Sequence, residues 1–370
     1  MNKNMNKKFD PVLLGSFLLL LGVSVVMVTS ASIPVTEKYQ VSDFYFFFQH
    51  LIHVIIGILC CLIMTFIPIK YIKNTTIYSA IVGLLLLCLV FIPGLSRSIN
   101  GAYRWFFIGP VSIQPAEFCK LMLITYMSGY LVRRKENVQN KFSGFIVPLI
   151  VLTMYDLLLL LQPDFGTMFI ISCIVIMLLF IAGVKFKYIL FLLLFSGVTS
   201  ASLIFTSPYR MQRIIGFLYP WEDQFNKGYQ LVQSLIAFGR GGWFGLGLGS
   251  SIQKLMYLPE AYTDFIFAII AEELGFVGAV LVLLLVTILA MRCFKIAQAA
   301  MQAKKFFQAY LVYGISCWIF LQSLVNVAVN IGLLPTKGLT LPFISYGGNS
   351  LLACCVAIGM VFRVDFELKT

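Results

Sequence analysis

The stretch QKLMYLPEAYTDFIFAIIAEELG, residues 253–275, places four carboxylates beside or inside an apolar run: Glu260, Asp264, Glu272 and Glu273. Ionisable groups in such a setting are costly unless a protein interior or a wet cavity receives them. Asp264 follows Thr263 and opens the run, which puts it in the first turn of a helix. A helix N-terminus favours an anion, so one reading is a helix-start carboxylate. Pro259 allows another. Proline is favoured at the first helical position, and a helix starting there would set Glu260 and Asp264 four apart on one face. Two carboxylates that close push one pKa up, which suits a general base. Glu272 and Glu273 would lie roughly 12–14 Å deeper along a helix. Hydrogen bonds between helices are the expectation for both, with a deep polar pathway as the alternative.

Cations accompany these acids. Lys120 falls one turn inside an apolar segment, after QPAEF. Arg97 and Arg104 precede it, Arg210 and Arg213 lie in a long polar stretch, and Lys337 sits in NIGLLPTKGLTLPFISYGG. Asp164 lies in the turn QPDFGT. Arginines and lysines around a carboxylate suit a polyanionic, lipid-linked substrate, because they neutralise a diphosphate leaving group. The plainer alternative is snorkelling and loop salt bridges. No residues have metal-ligand spacing: His50 and His53 are three apart, with no Asp or Glu at compatible local spacing. The glycine-dense run 239–249 lacks the preceding strand and the Lys-Ser/Thr of a phosphate loop. It is read as tight turns and close helix contacts. Asp156, inside an apolar segment, has no reading beyond a buried hydrogen bond.

The elements that must hold these residues are apolar. Of 370 residues, 60% are hydrophobic and 11% charged, with a mean hydropathy of +0.94. Soluble domains are about 45–50% apolar and about 25% charged. Ten segments have the length of spanning helices: 11–31, 49–69, 76–93, 115–133, 144–162, 165–183, 187–206, 265–292, 307–333 and 343–364. The expectation is an all-α polytopic membrane protein of one domain, with ten transmembrane helices. A large outer loop, 206–264, joins spans seven and eight. The loop 92–115 carries RWFFIGPVSI, an aromatic apolar portion broken by Gly109 and Pro110, as expected of a segment lying in the interface.

Net charge is +12. The excess of Lys and Arg falls in IPIKYIKN, RRKENVQNK, VKFK and RCFKIAQAAMQAKK. That pattern puts those loops and both termini in the cytoplasm. The cations do not form one patch, which argues against a nucleic-acid partner. None of the nine cysteines falls in an expected outer loop, so disulfides are not expected.

Seven ordered motifs resemble the SEDS family (shape, elongation, division and sporulation) over nearly the whole chain. They are NGAYRW, QPAEFCKL, QPDFGT, PYRMQRI, PWEDQFNKGYQLVQSLIAFGRGG, the 253–275 stretch and NIGLLPTKGLTLPFISYGGNSLL. The wording LPTKGLTLPFISYGG looks like the FtsW division branch more than RodA. The resemblance implies a ten-helix glycosyltransferase of the bacterial cytoplasmic membrane, at the division septum. It would polymerise lipid II at the outer face by an inverting mechanism, releasing undecaprenyl diphosphate. A class B penicillin-binding protein (a transpeptidase) and other division proteins would be partners. The family's TDF carboxylate falls on Asp264, its basic cavity residues on Arg104 and Lys120, and its QPD aspartate on Asp164. A divalent cation, Mg or Mn, could be shared among the carboxylates. Three positions depart from the usual pattern: Met256 for glutamate, Tyr262 for histidine and Tyr219 for aspartate. Two rivals share the cations and acids. A lipid II flippase requires a polar path right through the bilayer, and a non-catalytic division scaffold requires that Asp264 and Lys120 tolerate alanine.

Overall fold

The computed structural model describes residues 9–96, 102–109 and 111–370, apart from the side chains of residues 195, 200, 203, 204, 209 and 210. Helices α1 (Pro11–Tyr39), α2 (Tyr45–Phe66), α3 (Ile69–Asn74) and α4 (Thr76–Leu89) open the chain. Then come α5 (Pro115–Arg133), α6 (Lys135–Asn140), α7 (Phe142–Leu161), α8 (Phe165–Ile181) and α9 (Phe186–Phe205). The remaining helices are α10 (Pro208–Leu218), α11 (Tyr229–Gly241), α12 (Ile266–Gln302), α13 (Phe306–Asn330) and α14 (Gly348–Lys369).

Each apolar segment expected to cross the membrane carries a helix. Five are long and apolar enough by length and composition: α1, α2, α7, α12 and α13. Helices α4, α8 and the start of α9 are shorter and apolar. Helices α5 and α14 are more polar because they are interior: nearly every residue of α5 from Pro115 to Leu131 is buried. A helix enclosed by protein can carry Glu117, Lys120, Thr125 and Ser128 if neighbours supply their partners. Around this centre, α14 packs on α2, α13 on α12 and α5, α4 on α5, and α1 on α12.

Local chemistry sets several boundaries. Asp10 caps α1, accepting from Val12 N and Leu13 N at 3.0 Å each, with Pro11 at the first helical position. Asp164 caps α8 by accepting from Thr167 N at 3.2 Å.

The structure refines the expected architecture in two places and corrects it in a third. The aromatic segment of loop 92–115 is a small antiparallel hairpin, β1 (Phe106–Ile108) with β2 (Val111–Ile113), the one pair of strands among the described residues of an otherwise helical fold. Gly109 (φ 59°) turns the chain between the strands. Loop 206–264 contains α10, α11 and an irregular helical turn, Gln253–Tyr257.

The correction concerns the expected continuous span at 265–292: α12 breaks at Gly275 (φ 71°, ψ −171°). The glycine run fills the break. Leu246 N and Gly247 N donate to the carbonyls of Glu272 and Glu273, both at 3.0 Å. Phe276 N and Val277 N donate to the carbonyls of Gly242 and Trp243 at 2.9 and 3.2 Å. Backbone groups freed by a break inside a membrane must find such partners. The approach leaves no room for side chains, since a Cβ on Gly245 would fall 2.1 Å from the Glu273 carbonyl oxygen.

Candidate active site

Asp264 lies just before α12, in a turn rather than in a helix. This corrects the helix expected from Pro259. Glu260 has a left-handed backbone (φ 57°), so the two carboxylates do not share a helical face. A non-glycine residue held there stores strain of the kind found at functional sites. Glu260 is exposed, and its carboxylate accepts from Thr263 Oγ1 at 2.7 Å.

The helix-start reading fares no better: no side chain caps α12, and among the described residues nothing hydrogen-bonds the Asp264 carboxyl. Asp264 retains partial solvent access within a recess of protein atoms. Burial pushes its carboxyl up to about 7, and the Glu260 charge adds to this. Arg104 and Arg213 pull it down, and Asp164 pushes it up again. Those four groups are therefore near enough for their charges to act on Asp264.

Arg104 reaches the turn between α7 and α8, donating from Nε to Gln162 O at 3.3 Å and from Nη2 to Pro163 O. Asp164, two residues beyond Gln162, is buried. Arg213, on α10, donates to Thr336 O at 2.8 Å, beside Lys337. The Lys337 ammonium lies 4.8 Å from the Phe169 ring centre. Burial holds it below its usual value; Cys173 works against this and Arg213 with it. Gly338 is next: a Cβ there would fall 3.1 Å from Asp264 Oδ2. Arg104, Asp164, Arg213, Glu260 and Lys337 thus gather around Asp264. Arg97 lies outside the described residues, as does the side chain of Arg210.

Lys120 is placed differently. It is fully buried, paired with Glu117 at 2.9 Å and donating to Gln322 Oε1 at 2.7 Å. Its ammonium lies 5.0 Å from the Trp318 ring centre. It does not open onto the Asp264 recess in this conformation. Its reach is indirect: Gln322 Nε2 donates to Thr340 O at 3.0 Å, in the loop that carries Lys337 and Gly338.

Gln322 begins a polar ladder that the motif reading overlooked. Gln322, Asn326 and Asn330 are spaced by four along α13, so they share one face. Asn326 Nδ2 donates to Asp264 O at 2.8 Å and to Leu339 O at 2.6 Å. Asn330 Nδ2 donates to Asp264 O at 3.1 Å, and its Oδ1 accepts from Ala268 N at 3.2 Å. Four-residue polar spacing inside an apolar helix was the available signal. Tyr262 adds a second tie, its carbonyl accepting from Tyr346 N at 2.9 Å. Its ring packs with those of Phe46 and Tyr346 at centroid distances of 5.7 and 5.5 Å. Met256 and Tyr219, the other unusual positions, are exposed.

Glu272 and Glu273 are buried away from Asp264 and fully partnered. Lys254 Nζ pairs with Glu273 at 2.6 Å and donates to Ser30 Oγ of α1 at 2.9 Å. Glu272 accepts from Ile252 N and Gln253 N, both at 3.2 Å, and from Ser251 Oγ, and pairs with Arg240 at 3.2 Å. The expected bonds between helices are made through Ser30 of α1 and Arg240 of α11, while the 251–254 turn supplies most of the partners. Asp156 accepts from Ser172 Oγ at 3.1 Å.

The carboxylates around Asp264 do not make a metal centre by themselves. Among the described residues no three His, Cys, Asp or Glu side chains are arranged to hold an ion.

Comparison with known proteins identifies the arrangement. A family model described as "Cell cycle protein", covering FtsW, RodA and SpoVE, matches residues 11–370. The chain is 46% identical over 359 residues to a probable peptidoglycan glycosyltransferase FtsW of Legionella pneumophila, covering 97% of this chain and 91% of that one. It is 48% identical over 362 residues to its counterpart in Pseudoalteromonas translucida, covering 98% and 90%. Among solved structures, one of a peptidoglycan synthase complex, described as coordinating polymerization and crosslinking, superposes with a TM-score of 0.81. It is 28% identical and covers 97% of this chain and 98% of that one. The rod shape determining protein RodA of Thermus thermophilus superposes with a TM-score of 0.71 at 25% identity, covering 98% of each. The chain belongs to the FtsW/RodA/SpoVE family and is FtsW-like within it.

Proposed function

We propose that this chain is a peptidoglycan glycosyltransferase that polymerises lipid II, with Asp264 as its general base. The observation that carries the reading is a partly accessible carboxyl, raised to about 7, with Arg104 and Arg213 acting on its charge. A base with a pKa near the working pH is the efficient one.

Asp264 takes the proton from the acceptor hydroxyl of lipid II. The hydroxyl oxygen bonds to the anomeric carbon of the growing strand from the face opposite the diphosphate. The anomeric carbon–oxygen bond breaks, and undecaprenyl diphosphate leaves with inverted configuration in the product. Arg104, Arg213 and Lys337 supply positive charge for that leaving group; Arg97 and Arg210 belong to the same sequence stretches. Two lipid anchors in one plane reduce the entropy cost of the encounter. Lys120 acts through Gln322, holding the Lys337–Gly338 loop against Asp264. A divalent cation, Mg or Mn, is proposed to enter on the substrate's diphosphate, because the described residues hold no three-ligand cluster for it.

The ten apolar helices are read as spans, with both termini and the basic loops in the cytoplasm and Asp264 at the outer face. Membership of the FtsW branch supports a place at the septum of the inner membrane. The likeness to a peptidoglycan synthase complex supports a class B penicillin-binding protein as partner.

The test is polymerisation of purified lipid II by the chain with its partner. Asp264→Asn is expected to lose activity by about 10²–10⁴-fold while remaining folded. A folded Asp264→Asn that polymerises at the wild-type rate removes the base assignment. Movement of labelled lipid II between leaflets without polymer would favour a flippase instead.

A further inference from the structure

At the opposite end of the bundle from Asp264 there is a second charged recess. The direction of α4 fixes its place. Near its far end, Leu87 O accepts from Gln162 Nε2 at 2.9 Å, beside the Arg104–Asp164 turn. At its start, Thr76 Oγ1 accepts from Arg133 Nη1 at 2.6 Å, where α5 ends. The fourteen residues of α4 separate the two sites, about 20 Å at helical rise.

A cavity of about 400 Å³ opens beside that Arg133–Thr76 contact. Its lining is Lys73, Asn74, Thr76, Ile77, Tyr78, Gly129 and Arg133. Two cations and no carboxylate face the space. Lys73 forms no ion pair or side-chain hydrogen bond among the described residues. Arg133 spends one nitrogen on Thr76, which orients its fork and leaves other donors free. The Gly129 wall is tight: a Cβ there would fall 2.6 Å from Thr76 Oγ1. The cavity falls within the usual range for a small-molecule site.

The rim determines the class of occupant. Ile77, Tyr78 and Ile81 are 53%, 68% and 50% exposed, on a helix that is otherwise apolar. An apolar face leading into a cationic recess fits a molecule with an anionic head and hydrocarbon tails. Basic pockets at the cytoplasmic ends of membrane helices suit such head groups. The lack of a carboxylate in the lining disfavours a zwitterionic head group, whose ammonium would find no counter-charge.

We propose that this recess binds the phosphate of an anionic phospholipid of the inner leaflet, held by Lys73 and Arg133, with the acyl chains along Ile77, Tyr78 and Ile81. The assignment to the inner leaflet rests on the orientation proposed above. The site is independent of the transferase chemistry at Asp264. Lys73 and Arg133 would also attract a free phosphate, so the experiment separates the two sources.

The full chain is reconstituted in nanodiscs of phosphatidylcholine doped with phosphatidylglycerol, and the lipids retained after detergent release are counted by native mass spectrometry. Wild type is expected to retain phosphatidylglycerol over phosphatidylcholine. The variant Lys73→Gln, which removes no ion pair or side-chain hydrogen bond among the described residues, is expected to lose that preference several-fold. Lys73→Gln combined with Arg133→Gln is expected to lose it roughly tenfold, with phosphatidylcholine retention unchanged. Equal phosphatidylglycerol retention by wild type and Lys73→Gln overturns the proposal, as does a wild type with no preference. In a parallel arm, inorganic phosphate is added against chloride at matched ionic strength. Displacement of the lipid by phosphate alone would make this a site for soluble phosphate and overturn the lipid assignment.

Discussion

Asn326 donates from one side-chain amide to the Asp264 main-chain carbonyl at 2.8 Å and to the Leu339 carbonyl at 2.6 Å. Asp264 is therefore clamped to the loop that carries Lys337 and Gly338. Removing the amide takes the Asn326 donor from the Leu339 carbonyl, at about 1–3 kcal/mol for a buried group, and leaves the Asp264 carbonyl with Asn330. Asn326→Ala should lower the melting temperature and slow polymerisation, with the larger effect on turnover. An unchanged rate at unchanged stability would show that the clamp does not position the base.

The pH dependence follows from the raised Asp264 carboxyl. A base works deprotonated, so polymerisation should rise with pH through a midpoint near 7. Glu260 raises that value, and Glu260→Gln should move the midpoint down. The linked stability has the opposite sign. A carboxyl whose folded pKa exceeds its unfolded value favours the fold at low pH and loses that contribution as pH rises through about 7. Asp264→Asn should therefore melt higher than wild type above pH 7, and calorimetry across that range checks the sign.

Gly338 offers a test of space rather than charge. A Cβ there would lie 3.1 Å from Asp264 Oδ2, so the carboxyl must shift by a few tenths of an ångström. Displacing a catalytic group by about 1 Å can cost about 10²-fold. Gly338→Ala should lose roughly tenfold in turnover on that scale, with little change in melting temperature. Full activity would mean that the 335–347 loop moves away from Asp264 during turnover.

The Lys254–Glu273 pair predicts a stability effect away from the base. Both side chains are buried and 2.6 Å apart. Breaking such a pair by removing one partner costs about 3–5 kcal/mol, because the other charge is left uncompensated. Lys254→Met should therefore lower the melting temperature sharply. Lys254→Met with Glu273→Gln should recover much of the loss, since no buried charge remains. Equal destabilisation of the single and double variants would mean that the charge left on Glu273 is not the source of the cost.

Much of this protein was determined locally in the chain. Apolar runs of spanning length become helices because backbone groups in hydrocarbon must be satisfied within their own segment. The motif residues Asp264, Arg104, Arg213 and Asp164 were legible because their types and order carry the chemistry. The tertiary structure decided what those residues face. Lys120 and Arg104 look alike as cations beside apolar runs. Packing seals Lys120 against Glu117 and Gln322 and leaves Arg104 at the Asp164 turn. The apolar run across Gly275 reads as one helix by hydropathy. Its break depends on backbone partners from Gly242, Trp243, Leu246 and Gly247, about thirty residues earlier in the chain. Glu260 and Asp264 share a face only if a helix starts at Pro259. The left-handed backbone at Glu260 prevents that, and Asp264 instead takes its place from Asn326 and Asn330 of α13. Spacing along a chain constrains neighbours within a few turns, whereas burial and charge at Asp264 come from segments far apart in sequence, which meet only when the bundle packs.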